Sequence, residues 1–366
     1  MVRSISIAIA TLSIAIAALI TATQPALAQN DPPFYAGKRI TLLVNFAPGG
    51  PSDIEGRLLA RHVGKHIPGN PTVIVQNMDG AGGQVGTNYL GEVAPRDGTM
   101  VGYLTGAAWL HVTLKDKARV NFLDYSVIAY QPGTTVYFAR TDIAPGLKVR
   151  TDLAKGKGII IGGLSADSSK DLLLRLTADM LGLDYKYVTG YKSNSAARLA
   201  FQRNEISMFA ESPPGYRTSV EPSLVANKEA VPLFYNPGWN GVGYSEPSQV
   251  KGLDLPTFPE FYEEVHGKKP SGDLWKAYLH ILATNGALQR MLAFPPQVPR
   301  AAITALQAGV RALDKDAEYS DAAQRLLGFV PDYEADEKTE ETVRKALSIP
   351  AEDKEWIEAY VKKVSK

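Results

Sequence analysis

Arg39-Ile40-Thr41-Leu42-Leu43-Val44-Asn45-Phe46-Ala47-Pro48-Gly49-Gly50-Pro51-Ser52-Asp53 is the stretch that decides the fold. Its first eight residues are rich in aliphatic and β-branched side chains and read as a strand. Ala47 to Pro51 then crowd Pro and Gly into a tight loop. Beyond it Ile54, Leu58, Leu59, Val63 and Ile67 recur at helical spacing, so the loop opens a helix. Ser52 with Glu55 three positions on has the form of a capping box at the start of that helix.

Strand, small-residue loop, helix is a βα unit, and the chain repeats it. Thr72 to Gln76 is a strand. The loop Asn77-Met78-Asp79-Gly80-Ala81-Gly82-Gly83 follows, then a helix carrying Val85, Tyr89, Leu90 and Val93, and a third strand from Met100 to Leu104. The middle of the chain follows the same plan. Strands are expected at Thr135 to Ala139, Gly158 to Gly162, Tyr185 to Val188, Ile206 to Ala210 and Val231 to Tyr235. Helices are expected over Ser169 to Leu181 and Ser195 to Asn204, opened by the loops Leu164–Ser168 and Gly190–Asn194. Alternation of this kind means an α/β fold with mostly parallel sheets. The tail from Phe258 reads as mainly helical, with a strand near Leu288 to Ala293 and a charged amphipathic helix at the end. No solenoid period is present.

At 366 residues the chain has room for two domains. With 45% hydrophobic and 21% charged residues it has the composition of a globular protein rather than a disordered or multi-span membrane chain. Lys plus Arg is 39 and Asp plus Glu is 38, with no basic stripe, which argues against a nucleic-acid binder. There is no cysteine, so thiolate metal sites, thiol catalysis and disulfides are excluded. Residues 1–28 read as a signal peptide: Arg3, an apolar stretch from Ile5 to Ile20, and Ala26-Leu27-Ala28 before Gln29. Cleavage after Ala28 predicts an exported, periplasmic protein with 38 basic and 38 acidic groups. The near-neutral charge favours a monomer.

Four loops share one position, at the carboxyl end of a strand and the amino end of a helix, where open α/β sheets bind ligands. Helix N-termini carry unpaired N–H groups and partial positive charge, and so favour anions. The Gly80–Gly83 loop has no side chain placed to cap its helix; it is either an anion cradle or a plain Gly-rich turn. Ser168 and Ser169 either cap their own helix, with Asp171 completing a box, or meet a ligand. Lys192 is the one cation in the four loops, Tyr191 offers a wall or a hydroxyl, and Asp53 is placed to organise the first loop. Asp79 sits awkwardly beside an anion site.

Enzyme signals are poor. Gly80-Ala81-Gly82-Gly83-Gln84-Val85-Gly86 has the wrong spacing for a dinucleotide fingerprint. No phosphate-binding P-loop and no G-x-S-x-G elbow occur. His62 and His66 stand four apart, as a metal pair would, but no Glu follows His62; His111, His266 and His280 are scattered. The expectation is a protein that is not an enzyme and needs no cofactor or metal.

Tyr35-x-Gly37-Lys38-x-Ile40-x-Leu42 running to Phe46-Ala47-Pro48-Gly49-Gly50-x-x-Asp53 with Arg57, and Val75-x-Asn77-x-x-Gly80-Ala81-Gly82-Gly83-x-x-Gly86 followed by Asp97-Gly98-Thr99, resemble the periplasmic substrate-binding proteins of tripartite tricarboxylate transporters, the Bug-type receptors. Gly190-Tyr191-Lys192, Leu255-Pro256-Thr257-Phe258-x-Glu260 and Pro295-x-x-x-Pro299 extend the resemblance over nearly the whole mature chain. It implies a two-lobed type II periplasmic-binding-protein fold with the ligand cleft between the lobes. The first lobe would be 29–131 and 233–366, the second 132–232. It implies capture of an organic acid and delivery to membrane permease subunits. Carried over by position, the first-lobe contacts are Phe46, Ala47, Gly49, Gly50, Ala81, Gly82 and Gly83, beside Asp53. The second-lobe contacts are Ser168, Ser169, Tyr191, Lys192 and Ser195. Asp79 stands where the family usually has Pro, and Ser193 where it usually has Gly. The alternatives are a binding protein for an amino acid or another anion, which Asp79 and Asp167 motivate, a hydrolase or lyase on the same scaffold, and a ligand-presenting sensor.

Overall fold

The computed structural model describes residues 32–107, 109, 119–239, 243–348 and 350–364. The expected signal peptide, its expected cleavage site and His111 lie outside them. Along the first third run β1 (Arg39–Val44), α1 (Pro51–Val63), β2 (Thr72–Asn77), α2 (Gln84–Glu92), β3 (Met100–Thr105) and β4 (Ser126–Gln131). Then come β5 (Val136–Arg140), β6 (Ile159–Gly162), α3 (Ser169–Met180), β7 (Tyr185–Val188), α4 (Asn194–Gln202), β8 (Met208–Glu211) and β9 (Ala230–Tyr235). A short hairpin, β10 (Gly238–Trp239) and β11 (Tyr244–Ser245), leads to α5 (Phe258–His266), α6 (Asp273–Ala287) and β12 (Arg290–Phe294). The chain ends on α7 (Arg300–Ala312), α8 (Ala317–Leu327), α9 (Thr339–Leu347) and α10 (Ala351–Val364).

The strands form two five-stranded sheets of one plan, β2-β1-β3-β12-β4 and β7-β6-β8-β5-β9. In each, the first three strands are parallel, and the fourth runs antiparallel to both its neighbours. β1 is central and buried on both faces at Leu42, Leu43 and Val44, whereas β2, at the edge, alternates exposed and half-buried residues. α1 covers the first sheet through Leu58, Leu59 and Val63, each worth about 1.5–3 kcal/mol when fully buried. β4 has no counterpart in the sequence reading. A run of ten residues, Tyr216–Val225, forms a π-helix, which the sequence reading also lacks.

The expectation that 233–366 belongs with the first sheet needs correcting. Phe258, Phe261, Tyr278, Ile281 and, from the last helix, Ile357 and Tyr360 pack in the core of the second sheet. The apolar faces of α5, α6 and α10 thus follow the nearest uncovered sheet surface rather than chain order. β12, α7 and α8 return to the first sheet.

The connections between the sheets lie side by side. Gly133 N donates to Gly286 O at 2.7 Å, Gln289 Nε2 to Thr134 O at 2.9 Å and Gln249 Nε2 to Pro132 O at 3.0 Å. Thr134 Oγ1 donates to Asn236 O at 2.5 Å, and Asn236 Nδ2 to Tyr137 Oη at 2.8 Å. These hydrogen bonds across the crossovers tie the three passages of the chain together. Among the described residues no helix is long and apolar enough to cross a membrane.

Candidate functional site

The first-sheet loops are built around two buried polar side chains. Asn45, at the end of β1, donates to Gly83 O at 3.3 Å and Thr105 O at 3.1 Å, and accepts from Thr105 N at 2.9 Å. It so clamps the ends of β1 and β3 to the start of α2. Gly83 has φ +95°, and a Cβ there would stand 2.6 Å from Asn45 Nδ2, so the close approach requires glycine. Asp53 does organise the first loop: its carboxylate accepts from Gly49 N at 2.8 Å, Arg57 Nε at 2.9 Å and Asn77 Nδ2 at 2.9 Å. Burial raises the Asp53 carboxyl, but the bonds from Arg57, Gly49 and Asn77 outweigh this and hold it below the usual carboxylate range.

The capping box read at Ser52 and Glu55 is absent. Gly50 is the N-cap of α1 and brings no side-chain cap, so backbone N–H groups of the first turn keep their donor capacity. Ser52 instead shares a 2.8 Å hydrogen bond with Thr105 Oγ1. Glu55 is fully buried with its carboxylate 3.0 Å from Arg290 Nε, a partner 235 positions away. The start of α2 has no side-chain cap either, as expected.

Opposite, the second sheet presents two capped helices. Ser168 accepts from Asp171 N at 3.3 Å at the start of α3, and Ser193 from Ala196 N at 3.1 Å at the start of α4. Asp171 does not complete a box; it turns inward and accepts from Ser165 N at 2.8 Å and Tyr187 Oη at 3.0 Å. Lys170, one residue into α3, donates to Asn194 Oδ1 at 3.1 Å and Ala210 O at 3.2 Å. Burial pulls its ammonium below the usual lysine range, against the pull of Asp171 and Glu211.

Between these faces lies a cleft of about 860 Å³, part of it open to solvent. Of the residues expected from sequence, Phe46, Ala47, Gly50, Gly82, Ser168 and Ser169 line it. Gly49, Asp53, Ala81, Gly83, Tyr191, Lys192 and Ser195 do not. Gly49, Asp53 and Gly83 shape the loops behind the wall, and Ala81 is exposed. Lys192 is exposed, Tyr191 packs on the second-sheet core, and Ser195 accepts from Arg198. Asp79 is exposed, and Asp167 accepts from Ser165 Oγ. The lining also includes Ser52, Thr105, Trp109, Lys170, Asn194, Ser212 and Gln289, none of which the sequence reading assigned to the site. Lys170 had a usable signal, a cation at the second position of a helix opened by a candidate loop; Gln289 and Ser212 had none.

The two faces meet over the cleft. Trp109 Nε1 donates to Asp167 O at 2.9 Å, and a Cβ on Gly82 would stand 3.3 Å from Ser165 Cβ. Elsewhere His62, Asp316 and Glu318 are grouped closely enough for a metal, but Lys65 Nζ already lies 2.9 Å from Asp316 and 2.6 Å from Glu318. That cluster is an ion-pair network joining α1 to α8. It accounts for the His62 and His66 spacing without a metal, His66 Nε2 lying 2.8 Å from Asp316.

Two sheets of this shared order, with the N-termini of α1, α3 and α4 turned to one cleft between them, make the type II periplasmic-binding-protein fold. Solved structures similar over nearly their whole length include the periplasmic binding protein BugD, with 18% identity, covering 90% of this chain and 99% of that one at a TM-score of 0.63. MatC of Rhodopseudomonas palustris with bound malate has 18% identity over 88% of this chain and 99% of its own, TM-score 0.63. A further R. palustris protein, solved with adipate, has 17% identity over 90% and 96%, TM-score 0.63. By sequence, the chain is 32% identical over 176 residues to the UPF0065 protein of the TAR-I ttuE-ttuC' intergenic region of Agrobacterium vitis. That match takes in 46% of this chain and 49% of the other, so it spans about half the length of the curated relative. No family model matches the chain.

Proposed function

We propose that the protein is an exported receptor that captures an organic acid between its two sheets and hands it to the permease of a tripartite tricarboxylate transporter. The observation that carries this is the make-up of the cleft. The N-termini of three helices, one of them without a side-chain cap, converge on it, and Lys170 is the one charged side chain among its described lining residues. Backbone N–H groups and helix dipoles aimed at one space suit a carboxylate. Phe46, Pro51, Trp109 and Leu164 supply apolar wall for its carbon frame. MatC with malate and the R. palustris protein with adipate, which share the fold, support an organic-acid ligand here.

The energetics are sufficient. A micromolar ligand needs about −8 kcal/mol. Charge-assisted hydrogen bonds contribute about 1.5–3 kcal/mol each, so three or four with apolar contact reach that figure after ordering costs. The domains that would close on the ligand are the two sheets with their helices, moving about the passages near 131–136, 235–237 and 287–290. An amino-acid ligand is less well served, since Asp79 and Asp167, the acids that would meet an ammonium, are not on the cleft wall. Isothermal titration of the mature protein with aliphatic mono-, di- and tricarboxylates, aromatic acids and amino acids tests the reading. Binding of one acid class supports it; binding of amino acids alone refutes it.

A further inference from the structure

We propose that Lys170 selects ligands with a second anionic group, receiving that group on its ammonium at the second-sheet wall of the cleft. This rests on the reading of the cleft as an organic-acid site. The first-sheet wall already offers an anion position at the uncapped start of α1. Lys170 stands on the other wall. A monoanion engages the uncapped start of α1 alone; an acid with an anionic group at each end engages both walls.

The ammonium is held ready for this. It has three protons. Two go to Asn194 Oδ1 and Ala210 O, and the carboxylate of Asp171 stays 3.9 Å away, beyond hydrogen-bond reach. The third remains for the cleft. The amide of Asn194 has a fixed sense, because its Nδ2 donates to Glu211 Oε2 at 2.7 Å, which turns Oδ1 toward Lys170. Glu211 is in turn paired with Arg198. The chain Arg198–Glu211–Asn194–Lys170 therefore fixes the ammonium without placing a carboxylate on the wall. The side chain rests on Phe209, with Nζ 4.3 Å from the ring centroid, so the charge is presented with little water around it. Asp171 and Glu211 are both fully buried behind it, and a ligand meets only the cation.

The alternative is that Lys170 merely braces α3 against α4 and β8. Titration calorimetry with pairs of equal carbon number separates the two: succinate, glutarate and adipate against butyrate, pentanoate and hexanoate. The wild-type protein is expected to prefer the best diacid over its monoacid by about 10- to 100-fold, the range of one charge-assisted hydrogen bond. Lys170→Met, which keeps the stem and loses the charge, is expected to abolish that preference and leave monoacid affinity within about threefold. Equal loss for both acids would make Lys170 a brace and overturn the proposal, as would a wild-type preference near one, which needs no variant. Lys170→Arg is expected to keep a diacid preference; its loss there with folding intact also counts against direct contact. If wild type binds neither kind of acid, the receptor reading falls and takes this proposal with it. Binding of monoacids alone overturns only the role of Lys170.

Discussion

Replacing Glu55 by Gln is expected to cost the protein about 3–5 kcal/mol of stability. Glu55 on α1 and Arg290 on β12 are both essentially fully buried, with Nε and Oε2 3.0 Å apart. At that distance and an effective dielectric of about 20, their attraction is about 5–6 kcal/mol. Moving each ion out of water costs several kcal/mol, so the intact pair contributes little net stability. Glu55→Gln removes the attraction and leaves the guanidinium's desolvation uncompensated. Arg290 would keep Gln289 Oε1 at 2.7 Å and Ser212 Oγ at 3.3 Å, with a neutral amide in place of the carboxylate. The double replacement Glu55→Met with Arg290→Met removes both charges and is expected to recover most of the loss. Urea denaturation followed by tryptophan fluorescence measures Glu55→Gln, the single variants Glu55→Met and Arg290→Met, and the double variant. A single-variant loss below about 1 kcal/mol, or a double variant as unstable as the sum of the singles, would refute the reasoning.

Asp53 is held below the ordinary carboxylate range in the folded chain, so its contribution is complete above about pH 4 and is lost as pH falls further. Asp53→Ala is therefore expected to be less stable by about 2–3 kcal/mol near neutrality, with the gap to wild type closing below about pH 4 in acid denaturation; an unchanged gap at low pH contradicts this. Gly82→Val places a β-branched side chain about 3.3 Å from Ser165 Cβ on the opposite face, and this crowding across the cleft should weaken ligand affinity by calorimetry; unchanged affinity contradicts it. Lys192→Ala should leave affinity within about twofold, because Lys192 is exposed and off the cleft wall.

The parts of this protein legible in its sequence are those set by neighbours along the chain. Tyr185 to Val188 is a strand in both readings, and the loop at Gly80–Gly83 has its uncapped helix. The Asp53 turn follows from contacts with Gly49 and Arg57, four residues away on either side. What escaped was set by distant partners. Ser52-x-x-Glu55 has the local form of a capping box, yet Arg290 claims Glu55 and Thr105 claims Ser52. β4 was hidden because its pairing strand, β12, lies about 160 residues later. Lys192 looked like the cleft's cation from its loop; packing turned it to solvent and brought Lys170 to the wall. Gln289 reaches the site only because the crossover at 287–290 passes beside Thr134.

The most direct measurement is the melting temperature of the chain expressed from Gln29 onward, across a panel of organic acids, amino acids and phosphorylated compounds. A cognate acid at about one hundred times its dissociation constant should add about 2.7 kcal/mol, an upward shift of a few degrees for a chain of this size. The account predicts that shift for a carboxylate class and none for amino acids. A protein that melts at one temperature with every acid, or is stabilised by amino acids alone, would contradict it.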